Sequence, residues 1–280
     1  TDFGKGAVRW FSIYSVSLQP SEFLKPCFVV FSAWAMSGSF DENGPPGRSI
    51  SFFVMCLIAF MLAIQPDFGQ ATLIVGAWSV VYFISGAPLI MLVFVILLSS
   101  FLAALAYFNS AHVASRINGF LSPDVDPLTQ LGYATNAIQK GGFLGVGIGD
   151  CSVKWNLPDA HTDFIIAVAA EEYGLILCLI IITIYFFIIF RSLVRLLREG
   201  NSFIRLSGAG VVSLLAMQAL INLGVAVRLL PAKGMTLPFV SYGGSSVVAM
   251  GFLMGVLLAF TRRRPRSDLQ DILRQGGRIE

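Results

Sequence analysis

Seven apolar runs of helix length constrain this chain more than any other feature. They cover roughly residues 22–38, 50–65, 69–86, 88–108, 164–190, 205–228 and 240–261. Each approaches the ~20 residues that carry an α-helix across ~30 Å of hydrocarbon. They lack the strict alternation in ~10-residue segments that a membrane β-barrel requires. Hydrophobic residues make up 56% of the chain and charged residues 12%, against about 25% charged in ordinary soluble domains. The expected fold class is therefore all-α, a polytopic helical membrane protein forming one integral domain over residues 1–280.

Arginine and lysine orient the spans. Arg191, Arg195, Arg198 and Arg205 crowd one short connection, and Arg262, Arg263, Arg264, Arg266, Arg274 and Arg278 fill the end of the chain. Basic residues favour the cytoplasmic side, so 262–280 is expected to be a cytoplasmic tail. Counting back puts residues 1–21 and the large loop 109–163 outside, together with the turns 66–68 and 229–239. Eleven of the 19 Lys and Arg then lie inside and eight outside, although the outer segments are about twice as long. The net charge of +3, concentrated inside, suits anionic membrane lipids rather than nucleic acid. Cys27, Cys56 and Cys178 fall in apolar spans and only Cys151 in an outer loop, so neither a disulfide nor a metal-ligand spacing is expected.

Polar residues with no role in setting topology gather on the outer side. Asp67 lies in Gln65-Pro66-Asp67-Phe68-Gly69-Gln70, between two short spans. Unpaired in lipid it would be costly, so it should cap the following helix, face protein or water, or do both. Asp163 follows Leu157-Pro158-Asp159-Ala160-His161-Thr162, with Thr162 placed to cap the next helix. From Asp163, Glu171 is about 12 Å deeper and ~80° around a helix, whereas Glu172 is nearly opposite, so the two glutamates should meet different surroundings. For the pair, an ion pair with a neighbouring helix competes with a site or pathway role. Lys233 opens a bend that runs through Pro238 to Ser241, Gly243, Gly244 and Ser245. There, as at Gly251 and Gly255, small residues favour close helix packing. Gly145-Val146-Gly147-Ile148-Gly149 lacks the strand and helix of a dinucleotide site and reads as a flexible loop. Residues 113–121, with Arg116 among apolar neighbours, fit a short amphipathic helix on the outer surface.

Four of these motifs, in order, carry a family resemblance. They are Gln19-Pro20-Ser21-Glu22-Phe23-Leu24-Lys25, Gln65 to Gly69, Leu157 to Phe164 with Glu171-Glu172-Tyr173-Gly174, and Leu237-Pro238-Phe239-Val240-Ser241-Tyr242-Gly243-Gly244-Ser245-Ser246. The chain resembles the SEDS family (shape, elongation, division and sporulation) from about residue 4 to 264, and its division branch more than its elongation branch. The resemblance implies a ten-helix fold of which this sequence, opening at Thr1, holds seven spans as a fragment.

It further implies a peptidoglycan glycosyltransferase of the bacterial cytoplasmic (inner) membrane, acting at the division septum. The implied substrate is lipid II, the undecaprenyl-diphosphate-linked disaccharide peptide. The implied partners are a class B penicillin-binding protein transpeptidase and other division proteins. The family's essential loop aspartate maps onto Asp163, and Glu22, Lys25, Asp67, Glu172 and Lys233 are motif residues. On this basis Asp163 is the expected base for an inverting displacement, with His161 as the alternative. Lys233, Arg116 or a divalent metal such as Mg or Mn would offset charge on the departing diphosphate. A helix N-terminus would lower the Asp163 pKa and desolvation would raise it. Two other functions stay open on the residues alone: a transporter of lipid-linked precursor using Glu171 and Glu172, and a non-catalytic division scaffold.

Overall fold

The computed structural model describes residues 11–13, 16–40, 44–65, 67–109, 111–122, 129–147, 157, 160–231 and 234–262. Within them the chain forms helices α1 (Pro20–Gly38), α2 (Gly47–Ile64), α3 (Phe68–Ile84), α4 (Ile90–Asn109) and α5 (Ala111–Leu121), followed by α6 (Gln130–Gly141), α7 (Ile165–Leu197), α8 (Ser202–Ala226) and α9 (Gly244–Thr261). The helices α1 to α4 and α7 to α9 coincide with the seven apolar runs. Five of them, α2, α4, α7, α8 and α9, are long and apolar enough to cross a membrane by themselves. The 17 residues of α3 reach only ~26 Å, and α1 carries Glu22 and Lys25 in its first turns. These two helices depend on their neighbours to stand in lipid.

The helical class holds with one addition. Strands β1 (Phe11–Ile13) and β2 (Val16–Leu18) pair antiparallel with Phe11 opposite Leu18, where the sequence suggested only a polar loop, and β2 packs against α9. The connection 109–163 likewise contains structure, namely α5, close to the expected amphipathic helix, and α6, which was not anticipated.

Helix α8 is the centre of the bundle. Seventeen of its 25 residues are buried, and it packs against α1, α3, α7 and α9. The run Ser207-Gly208-Ala209-Gly210 makes this possible, because small side chains let helices approach closely. A Cβ on Gly210 would lie 2.4 Å from Val29 Cγ1 and 2.6 Å from Val81 Cγ2, so α1 and α3 both close on α8 there. By contrast, a Cβ on Gly251 or Gly255 would meet nothing within 4 Å. The close packing expected at those two glycines is absent, and α9 makes its contacts through Ala249, Met250, Leu253 and Leu257 instead. Helix α4 stands apart, packed against α5 with only Val95 buried.

Helix α7 is 33 residues long, about 50 Å, which exceeds any hydrocarbon layer. It is broken at Gly174, where φ is 73° and ψ is −171°, a conformation essentially confined to glycine. Large apolar side chains are exposed from Tyr173 to Leu197, whereas Ile165–Glu172 exposes none. The break withdraws the helix's own donors from the carbonyls of the preceding turn, and the segment after α6 replaces them. Val146 N donates to Glu171 O at 2.9 Å and Gly147 N to Glu172 O at 3.2 Å, while Leu175 N donates to Gly142 O at 3.0 Å. The described part of the glycine-rich stretch is thus bonded to α7 rather than loose. Helix α6 joins it, burying Gly132, Ala134, Ala137 and Gly141 against α7.

The half of the bundle that holds the first turns of α1 and α3 has a polar core. Lys25 is 1% exposed and Glu22 3%. Lys25 Nζ donates to Glu22 Oε2 at 2.8 Å and to Gln218 Oε1 at 3.2 Å, and Gln70 Nε2 donates to Glu22 Oε1 at 2.5 Å. Residues of α1, α3 and α8 are thereby bonded to one another, with Gln70 Oε1 alone of these groups left without a partner among the described residues. A lone buried charge is strongly unfavourable, whereas a well-bonded pair offsets its own desolvation.

Two outcomes follow for thermal unfolding of the detergent-purified full-length protein. Lys25→Met leaves Glu22 buried and unpaired and should destabilise by about 3–5 kcal/mol, with Glu22→Gln in the same chain recovering part of the loss. Gly174→Ala should cost about 1–3 kcal/mol from its backbone conformation alone. Gly251→Ala, with open space around it, should be neutral or slightly stabilising.

Candidate functional site

The segment bearing Asp163 is a turn over residues 160–163, not the first turn of α7. The N-cap position is Phe164, with no side-chain cap, so Thr162 is not the cap that the sequence suggested. The reason is tertiary, since the backbone of the turn is engaged by the bend before α9. Ser241 Oγ donates to Thr162 O and accepts from Leu237 N at 2.8 Å. Tyr242 N donates to His161 O at 2.8 Å. Asn222 Nδ2, from α8, donates to Asp163 O at 3.0 Å and also to Met235 O. With Ala160 and Phe164 buried on either side, the partly exposed Asp163 side chain projects from a pinned backbone. One of its carboxylate oxygens lies 3.3 Å from where a Cβ on Gly234 would stand. Glycine at 234, with φ of 61°, lets the bend pass this close to the carboxylate.

A second acidic group stands at the start of α3. Asp67 is buried and is the N-cap of α3, accepting from Gln70 N at 3.3 Å and from Gln19 Nε2 at 3.4 Å. Both roles foreseen for it, cap and protein-facing carboxylate, are realised. From Asp67 a chain of hydrogen bonds runs through Gln70, Glu22 and Lys25 to Gln218, whose Nε2 donates to Thr236 O at 3.1 Å. Gln218 and Asn222 are four residues apart, hence on one face of α8. One holds the 234–237 segment and the other ties that segment to Asp163.

The glutamates separate as helix geometry requires. Glu171 is fully buried, with Lys140 Nζ of α6 at 3.8 Å from its Oε1, whereas Glu172 is only partly buried. Glu171 thus has an ion-pair partner, supplied by α6 rather than by another apolar span. His161 is exposed. Ser241 is a polar tie between two segments rather than a packing residue. Ser245 is buried with no partner for its hydroxyl, and Ser246 instead meets Thr236 Oγ1 at 2.8 Å. Lys233 and the side chain of Arg116 lie outside the described residues, as do Asp159 and Cys151. Among the described residues no three His, Cys, Asp or Glu side chains converge to hold a metal.

Sequence reasoning missed Gln19, Gln70, Gln218, Asn222 and Lys140. The signal was present for three of them, because amides inside apolar spans are costly unless bonded, and the spacing of Gln218 and Asn222 marks one helix face.

Residues 2–265 match the sequence family described as "Cell cycle protein", which groups FtsW, RodA and SpoVE. The chain is 42% identical over 263 residues to "Probable peptidoglycan glycosyltransferase FtsW" of Caulobacter vibrioides, an alignment covering 93% of this chain and 67% of that protein. It is 34% identical to "Stage V sporulation protein E" of Bacillus subtilis, covering 92% and 72% respectively. The chain thus spans about two thirds of the length of these relatives. Among solved structures it resembles a chain of the assembly described as "Structural coordination of polymerization and crosslinking by a peptidoglycan synthase complex", with a TM-score of 0.72, 28% identity and coverage of 93% and 75%. It also resembles the rod shape determining protein RodA of Thermus thermophilus, with a TM-score of 0.59, 25% identity and coverage of 93% and 72%. Sequence match and fold agree, and the chain belongs to the FtsW/RodA/SpoVE family of multi-pass membrane proteins.

Proposed function

We propose that this chain is the catalytic part of a peptidoglycan glycosyltransferase that polymerises lipid II on the outer face of the cytoplasmic membrane during cell division. The observation that carries this proposal is the setting of Asp163: a half-exposed carboxylate on a backbone pinned from α8 and from the bend before α9, at the outer end of a membrane bundle. A lipid-linked sugar must present its reacting carbon just outside the headgroups, at the level of that turn. The names of the relatives support the reaction, and the 42% identical FtsW of Caulobacter vibrioides supports the division branch.

In the proposed step the acceptor's 4-hydroxyl oxygen attacks the anomeric carbon of the donor sugar. Its proton passes to an Asp163 carboxylate oxygen, and the bond from that carbon to the diphosphate oxygen breaks, leaving its electron pair on the diphosphate. One displacement inverts the anomeric centre. A fixed general base contributes about 10²–10⁴-fold, and pinning the turn keeps the carboxylate in place without reorganisation. Lys233 and Arg116 are the cations proposed to offset charge on the leaving diphosphate. A Mg or Mn ion would need substrate phosphates among its ligands, as such ions commonly have. Glu22, Lys25, Asp67 and Gln218 position the outer loops and do not touch substrate. A class B penicillin-binding protein is the proposed crosslinking partner and the septum the proposed location, supported by the resemblance to a chain of a peptidoglycan synthase complex.

The paired state of Glu171 bears on the transporter alternative. A glutamate held by Lys140 of the outer loop, above the lipid-facing part of α7, is poorly placed to carry protons through the membrane. Polymerisation of lipid II by the full-length protein with its transpeptidase partner in detergent is the test. Asp163→Asn should lower the rate by about 10²–10⁴-fold, whereas His161→Ala should leave it within about threefold of the parent enzyme, since loss of a general base costs far more than that. Unchanged polymer yield from the Asp163→Asn enzyme would overturn the assignment.

A further inference from the structure

Arg228 follows the C-cap residue Val227 of α8 with φ of 59°. That left-handed position normally belongs to glycine, because a Cβ is disfavoured there. The turn itself needs no side chain. Arg228 N donates to Val225 O, and both Leu229 N and Leu230 N donate to Gly224 O, bonds that glycine at 228 would make equally well. A side chain kept at a conformational cost points to a role for that side chain.

The guanidinium is held at its base. Nη2 donates to Ser122 O at the end of α5, at 3.3 Å, and Nε is buried without a partner. A guanidinium carries five N–H donors, so donors remain on the exposed side of this partly buried residue. Its neighbours Val227 and Leu229 are 54% and 73% exposed. The cation therefore sits between two exposed apolar residues just past the end of a helix long and apolar enough to cross a membrane, a setting in which a long cationic side chain reaches for lipid headgroups. Six residues before it Asn222 holds the Asp163 carbonyl, and six residues after it Gly234 lies against the Asp163 carboxylate. Six residues of chain reach no more than ~20 Å.

We infer that Arg228 binds the phosphate oxygens of a lipid diphosphate, holding the anchor of the lipid-linked substrate beside Asp163. This rests on the polymerase function proposed above. Such a substrate carries its diphosphate between an apolar chain and the anomeric carbon, and Arg228 stands next to the exposed Leu229 and within about 20 Å of chain of Gly234 at the Asp163 carboxylate. A planar guanidinium fork matches phosphate bidentately where an ammonium offers a point charge. Anionic phospholipid headgroups share this chemistry, so the test must separate the two sources.

Binding of undecaprenyl diphosphate and, separately, of phosphatidylglycerol to the full-length protein in detergent can be titrated by native mass spectrometry. Arg228→Gly should weaken undecaprenyl diphosphate binding about tenfold, Arg228→Lys should fall between it and the parent protein, and phosphatidylglycerol binding should not change. Arg228→Gly suits the backbone and should melt no lower than the parent protein. If it does melt lower, Arg228→Gln removes the charge without altering the turn and should show the same selective loss. Asp163→Asn should retain diphosphate binding while losing polymerisation, so failure of the base assignment and failure of this inference read differently. Undiminished diphosphate binding by both neutral variants, or an equal loss for phosphatidylglycerol, would overturn it.

Discussion

Lys25 puts an ammonium group where no water reaches it, and much of the structure around Asp163 follows from that. A buried charge must be paired and hydrogen-bonded, which here requires Glu22 one turn earlier on α1, Gln70 behind Glu22 on α3, and Gln218 on α8. Three helices are thereby held in one relative placement. Gln218 also grips the bend at Thr236, and Asn222, one turn further along α8, ties Met235 to the backbone of Asp163. A structural ion pair thus positions a carboxylate that it never touches.

The break at Gly174 divides α7 into parts with different surroundings. Beyond it the helix shows lipid a nearly continuous apolar surface. Before it the helix is clasped by α6 and by the backbone of residues 142–147. This explains why two adjacent glutamates behave differently. Both backbone carbonyls serve the incoming loop, but the Glu171 side chain is buried against Lys140 whereas that of Glu172 is only partly buried. It also makes the part of α7 nearest Asp163 a supported element.

Much of the architecture was legible in the sequence. The seven apolar runs became seven helices, the Asp67 cap formed, and the geometry of a helix correctly separated Glu171 from Glu172. Errors arose where contacts across the chain overrode local preference. Thr162 is a good capping residue, yet its carbonyl is held by Ser241, 79 residues away, and the helix starts later. Gly145 and Gly147 suggest flexibility, but the N–H groups of Val146 and Gly147 complete a broken helix. Gly251 and Gly255 have the spacing of a packing motif and face open space.

The amino-acid sequence alone determined that the chain is a helical membrane protein, roughly where its spans lie, and that its acidic motif residues lie near one end of them. Those properties depend on the transfer of individual residues between water and lipid and on helical periodicity, both of which are local. Tertiary structure decided which polar groups pair: Lys25 with Gln218 across 193 residues, Gln70 with Glu22 across 48, and Asn222 with the Asp163 backbone across 59. In a medium that offers no competing hydrogen bonds, each buried donor must find its acceptor elsewhere in the fold. That choice depends on which helices meet, so it is not written in any one segment.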